Sequence, residues 1–227
     1  MPDEAAAAAA PFRVLCPALG LVPAQTPPGL YEAAVRHFAA VPWCAALLSP
    51  AADGAEPAIA FVPQCFNPAP GGGEDQFVGA TLARAPGALL QMLCLFRPDD
   101  AAHVRDPARP IGRVSTLYAL GDGLSGYRGI LHGGVVATLM DETLGIVHEL
   151  NAVLGKAGAA PAGATNVTAR LAVSFRRPVP VPGHVRVTAW VCAVDGRKTR
   201  MACEVAGPDG TVMAEAESVW VMVGPKM

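Results

Sequence analysis

From Val135 to Leu150 the chain carries a stretch with almost no polar face: Val135, Val136, Leu139, Met140, Leu144, Ile146, Val147 and Leu150 leave little of a helix surface for water. A helix that is apolar nearly all round belongs in the middle of its domain. The rest of the chain must therefore enclose it. Downstream, four runs alternate as antiparallel strands do. In the first, Val167, Ala169, Leu171, Val173 and Phe175 are expected on one face, with Thr168, Arg170 and Ser174 on the other. Runs at 185–194, 197–206 and 211–223 follow, the first two joined at Asp195-Gly196 and the last two at Asp209-Gly210. Such D-G pairs between alternating runs are strong hairpin signals. Upstream, Ala88–Phe96 reads as a buried strand and Arg113–Leu120 as another, with a proline-bounded polar loop between them. The expected fold is α+β, a long antiparallel sheet wrapped around one central buried helix.

The first third is different. Residues 1–30 are rich in Ala and Pro and are expected to be loosely ordered. Residues 30–50 have helical content, with Tyr31, Val35, Phe38 and Ala39 at helical spacing and Pro42 expected to kink or end the helix. Residues 51–80 read as loop, with PAPGGGED at 68–75 as a linker. The chain thus divides into a partly helical, partly flexible N-terminal extension (1–77) and a main domain (78–227).

Composition narrows the function. An apolar fraction of 52% fills a core, and a net charge of −2 draws the chain neither to nucleic acid nor to an anionic surface. The six cysteines form no C-x-x-C pair, and several lie in apolar runs such as Leu93-Cys94-Leu95 and Val191-Cys192-Ala193. They are read as reduced core thiols, with no metal spacing. The acidic start Met1-Pro2-Asp3-Glu4 fits neither a secretory signal nor a mitochondrial presequence, and no stretch is long enough to span a membrane. Cytoplasmic residence is the expectation, with peroxisome and mitochondrion left open; the terminal Pro225-Lys226-Met227 is at best a poor echo of a peroxisomal tripeptide.

The chemistry concentrates before and inside the apolar helix, at His132-Gly133-Gly134 and Asp141. Glycines opening a buried helix present unpaired N–H groups and the positive dipole end, which stabilise an oxyanion. Gly133 is the expected principal donor and Gly134 an assistant; His132 shapes the turn or the region of the leaving sulfur. A carboxylate on so apolar a helix is costly without a purpose. Asp141 lies eight residues beyond Gly133, about 12 Å along a helix axis. One carbonyl carbon can hardly reach both groups on a single helix. Glu142, rotated about 100° away, is the rival acid and reads as a contact to a neighbouring strand.

The segment HGG-x₆-D resembles the motif of hotdog-fold acyl-CoA thioesterases, in particular the phenylacetyl-CoA thioesterase-like branch and the mammalian superfamily-member thioesterases. TARLAVSFRRPVPV (168–181), DGRKTRMACEV (195–205) and GTVMAEAESVWV (210–221) resemble that family's later strands, so the likeness covers roughly residues 80–223. The resemblance implies a hotdog fold and a dimer, or dimer of dimers, in which one subunit supplies the glycine turn and the other the acid. It implies hydrolysis of acyl-CoA, or of an acyl chain on a carrier protein, with no cofactor or metal. Asp141 would be general base or nucleophile, and Thr168 matches a strand hydroxyl that holds the attacking water. Arg176, Arg177, Arg197 and Lys198 are candidate contacts for coenzyme A phosphates. Two departures stand out: Gly126 replaces a helper Asn found in some relatives six residues before the histidine, and the connection from Asp141 to Thr168 is longer. Two other classes stay open, a hotdog dehydratase or hydratase and a non-catalytic acyl-CoA-binding dimer. Met140, Phe175, Trp190 and Trp220 are read as core.

Overall fold

The computed structural model describes residues 13–49, 56–68 and 77–224. The alanine run, most of the 68–75 linker and the terminal tripeptide lie outside the described residues. The strands, in chain order, are β1 (Ile59–Phe61), β2 (Leu89–Phe96), β3 (Arg113–Leu120), β4 (Ser125–Tyr127), β5 (Ile130–Leu131), β6 (Thr165–Phe175), β7 (Gly183–Asp195), β8 (Lys198–Ala206) and β9 (Val212–Val223). The helices are α1 (Leu30–Ala39), α2 (Pro42–Leu48) and α3 (Gly133–Val153). Seven strands form one antiparallel sheet in the order β1-β2-β3-β7-β8-β9-β6, and β4-β5 is a separate small hairpin. The sheet curls around α3, the hotdog arrangement.

The buried helix is where its sequence demands. Leu139, Met140, Leu144 and Leu150 are fully buried against Met92, Tyr118, Val187 and Met201 of the sheet's inner face. Three polar side chains fix its position. The Tyr118 hydroxyl hydrogen-bonds the Leu139 carbonyl (3.2 Å) and Thr143 Oγ1 (2.9 Å). Near the other end, the Asn151 amide accepts from Ile111 N–H at 2.7 Å and donates to Ile111 O at 2.9 Å, pairing the helix with the lead-in to β3. Just beyond, Lys156 Nζ donates to the carbonyls of His103, Val104 and Asp106 and so closes the 98–110 loop. Each of these three buried side chains is hydrogen-bonded, as burial requires.

The outer face of β2 and β3 is covered too. Phe38 and Ala34 of α1 and Cys44 of α2 pack on Leu93, Leu95, Leu117 and Ala119, whose side chains alternate with the inward set. Pro42 opens α2 at its first position instead of merely ending α1, where its missing N–H costs nothing. His37 Nε2 stands 3.1 Å from His184 Nε2, tying α1 to the start of β7.

Two readings need correction. From Arg13 the arm is anchored: Val14, Leu15 and Cys16 are buried, and Leu15 bridges Val62. The stretch read as loop holds β1, which extends the sheet beside β2, a 3-10 turn at Gln64–Phe66 and a π-helical turn at Phe77–Leu82. Short apolar segments such as Ile59–Phe61 take strand form because an exposed sheet edge is there to receive them, not because of local pattern. The extension also supplies Val14, Phe61, Cys65 and Val78 to the same core as α3. Among the described residues no helix is long and apolar enough to cross a membrane.

Candidate active site

At the start of α3, His132 is the N-cap in extended conformation (φ −62°, ψ 133°). Its Nδ1 accepts from the Gly134 N–H at 3.0 Å, so the neutral ring carries its proton on Nε2. That bond occupies the Gly134 amide. The Gly133 N–H has no hydrogen-bond partner among the described residues. A cavity of about 520 Å³ opens there, lined by Tyr127, His132, Gly133, Phe175, Arg176 and Arg177. Gly126 packs directly on the capping histidine: a Cβ at 126 would stand 3.0 Å from His132 Cα and 3.1 Å from Cδ2. No side chain fits there unless His132 shifts, which explains why this chain has no polar helper at the position.

Two turns further along α3, Asp141 meets β6. The Thr168 hydroxyl donates to Asp141 Oδ1 at 2.8 Å. Strict alternation would have turned Thr168 away from the helix. A β-bulge intervenes: Thr168 pairs with Trp220, yet Arg170 pairs with Val219, leaving Ala169 without a partner. Before the bulge the even residues face α3; after it Leu171 and Val173 do, packing on the core. Val167 is 41% exposed on the outer face. Bulges re-aim side chains in this way, and here one brings a hydroxyl to a carboxylate.

The same strand connects both groups. β6 runs antiparallel to α3, with Thr168 at Asp141 and Phe175 at Gly133, where a Cβ on Gly133 would lie 3.5 Å from Phe175 Cζ. Within one chain the acid and the unpartnered amide therefore occupy opposite ends of β6. Arg176 and Arg177 are beside the helix start, although Arg176 Nε also donates to Glu215 Oε2 at 2.9 Å. Arg197 and Lys198 are at the other end of the sheet, where Lys198 pairs with Val221 and Val221 with Val167. The four basic residues do not form one cluster.

A second cavity, about 230 Å³, begins at Asp141 and follows α3 past Gly145, His148 and Glu149, with Trp220 as a wall. Gly145 makes room for that indole, since a Cβ would stand 3.3 Å from Trp220 Cη2. Burial pushes the Glu149 carboxyl up to about 8, with Glu142 adding to the effect and Arg13 opposing it. Burial pulls the His148 imidazole down to about 4. Glu142 is also raised, first by burial; the Cys65 thiol hydrogen-bonds it and opposes the shift. Cys65 belongs to the N-terminal extension, which thus reaches this face of the helix. His148 and Glu149 were not among the residues singled out by sequence. Their signal was their spacing, seven and eight residues after Asp141, which returns to the same helix face.

Some aromatic and thiol readings change. Met140 and Trp220 are buried, but Phe175 is 58% exposed beside the helix start, and Trp190 lies on the outer face under the Arg113 guanidinium, 5.1 Å from its ring centroid. All six cysteines are free thiols; five are buried and Cys192, at the irregularity in β7, is exposed. No group of three potential metal ligands occurs among the described residues.

Residues 128–214, which span the helix start, Asp141, Thr168 and most of the sheet, match the family model of the thioesterase superfamily. Over that stretch the chain is similar to members of that superfamily. Among curated proteins, the chain is 30% identical to verlamelin biosynthesis protein B of Lecanicillium sp, covering 53% of the chain and 60% of that protein. It is also 30% identical to the acyl-coenzyme A thioesterase THEM4 of Bos taurus, covering 50% and 43%. The chain spans about half the length of the curated relatives it matches. A solved thioesterase superfamily protein is 28% identical with a TM-score of 0.44, covering 58% of this chain and 53% of that one.

Proposed function

We propose that this chain hydrolyses acyl thioesters to the free acid and a thiol, in a site built by two protomers. The observation that carries the reading is the hydrogen-bonded Thr168–Asp141 pair at one end of β6, with the unpartnered Gly133 N–H at the other. β6 is the last strand of the sheet, and its outer edge has no strand partner among the described residues. Antiparallel pairing of β6 with its two-fold copy lays the Thr168 end of one strand beside the Phe175 end of the other. Asp141 of one protomer then faces the helix start of its partner, and the separation of about 12 Å within one helix ceases to matter.

In this site the Gly133 N–H and the α3 dipole, with Gly134 behind them, take up the negative charge that grows on the thioester oxygen. Asp141 acts either as base, drawing a proton from the attacking water, or as nucleophile, giving an anhydride that water then opens. The Thr168 hydroxyl already donates to Asp141, so its lone pairs remain to accept from that water. The C–S bond breaks and the thiolate leaves with a proton. That proton is the one drawn from the attacking water, and the His132 Nε2–H, on the wall of the helix-start cavity, can hydrogen-bond the departing sulfur. Arg176 and Arg177 suit the phosphates of coenzyme A; Arg197 and Lys198 lie at the acid end of their own chain and would serve only across the dimer. No cofactor is required. The match to THEM4, named as an acyl-coenzyme A thioesterase, supports acyl-CoA as substrate; an acyl chain on a carrier protein is the alternative.

The test is thiol release from short, long and aromatic acyl-CoAs and from the same acyl groups on a carrier protein. Turnover of at least one series is expected. Tight binding without release would favour a non-catalytic acyl-CoA binder, and enoyl product would favour a dehydratase.

A further inference from the structure

We infer that the cavity running from Asp141 along α3 receives the acyl chain, and that His148 and Glu149 select acyl groups bearing a neutral hydrogen-bonding function, a hydroxyl above all, in the outer half of the chain. The inference rests on Asp141 taking the thioester. Asp141, Gly145, His148 and Glu149 line one cavity on one face of the helix. Glu149 stands about 12 Å along the axis from Asp141, well beyond the reacting carbonyl.

A cavity meant only for a hydrocarbon chain would be lined by hydrocarbon. This one holds two polar side chains at its far part, and each keeps a buried atom, His148 Nε2 and Glu149 Oε2, without a hydrogen-bond partner among the described residues. Such atoms are costly to the fold, and an apolar residue at either position would serve packing better. The cavity gives both side chains room to turn these atoms towards a guest. Burial keeps the carboxyl protonated and the imidazole neutral near pH 7. The pair therefore offers an acid O–H to donate and a carbonyl and a ring nitrogen to engage a hydroxyl. An anionic chain end is disfavoured, because Asp141 and Glu142 flank the same cavity. The Trp220 ring lies 5.2 Å from the His148 ring between centroids and forms the cavity wall beside it.

The experiment compares kcat/KM of the full-length protein for dodecanoyl-CoA and for dodecanoyl-CoAs hydroxylated in the outer half of the chain. Wild type should favour the best hydroxylated substrate by about 10-fold or more, since a site built to hydrogen-bond a hydroxyl discriminates against its absence. Glu149→Gln, which keeps a donor and an acceptor, should retain the preference. Glu149→Leu should lose or invert it, and His148→Phe, which keeps a ring against Trp220, should weaken it. A ratio within about 2-fold in wild type, or one that survives Glu149→Leu, overturns the inference while leaving the thioesterase reading intact. Failure to hydrolyse either thioester overturns both.

Discussion

Asp141→Asn is expected to lower thioester hydrolysis by about 10³-fold while the protein stays folded. The substitution is nearly isosteric, and the new amide oxygen can still accept the Thr168 hydrogen bond that now measures 2.8 Å. What disappears is the charge, and with it both the basicity that activates water and the nucleophilicity that would form an anhydride. Steady-state kinetics with unfolding and sizing controls separate these effects. An Asn variant that turns over at the wild-type rate would move the chemistry to another residue, with Glu142 the first to examine. Glu142 is raised by burial, but the Thr168 hydroxyl donates to Asp141 and not to Glu142.

The proposed oxyanion donor is a backbone group, yet it can be removed by one substitution. Gly133 is the first residue of α3, where proline is well tolerated because that N–H has no helical partner. The preceding His132 already has the extended conformation that proline demands of its neighbour. A side chain at 133 meets Phe175 at 3.5 Å, an ordinary contact. Gly133→Pro should therefore fold and lose about 10²- to 10³-fold in kcat, the effect of deleting one oxyanion-hole donor. A loss in KM alone would show that the helix start binds substrate without stabilising the transition state.

The parts of the fold that could be read from sequence are those whose hydrophobic pattern is set by their own neighbourhood. α3 is apolar on nearly every side and can only be central. β3 begins and ends where its pattern does, and the turns after Asp195 and Asp209 place glycines with φ 54° and 78° as two tight hairpins require. What was missed depends on partners distant in sequence. Nothing in VTARLAVSF announces a bulge at Ala169, because the apolar alternation runs straight through it; the bulge exists to fit β6 to β9. The strand Ile59–Phe61 depends on an edge offered by β2. Asp141 and the glycine turn stood out from their motif, whereas His148 and Glu149 acquired meaning only once a cavity was seen to join them to Asp141.

Subunit exchange between the two variants tests the shared site most directly. Asp141→Asn and Gly133→Pro homodimers are each expected to be nearly inactive. If acid and amide come from different protomers, a mixed dimer contains one site with both defects and one with neither. With random exchange half the dimers are mixed, so activity should return to about a quarter of wild type. If both groups act from the same chain, every site keeps a defect, and the mixture should stay as inactive as its parts.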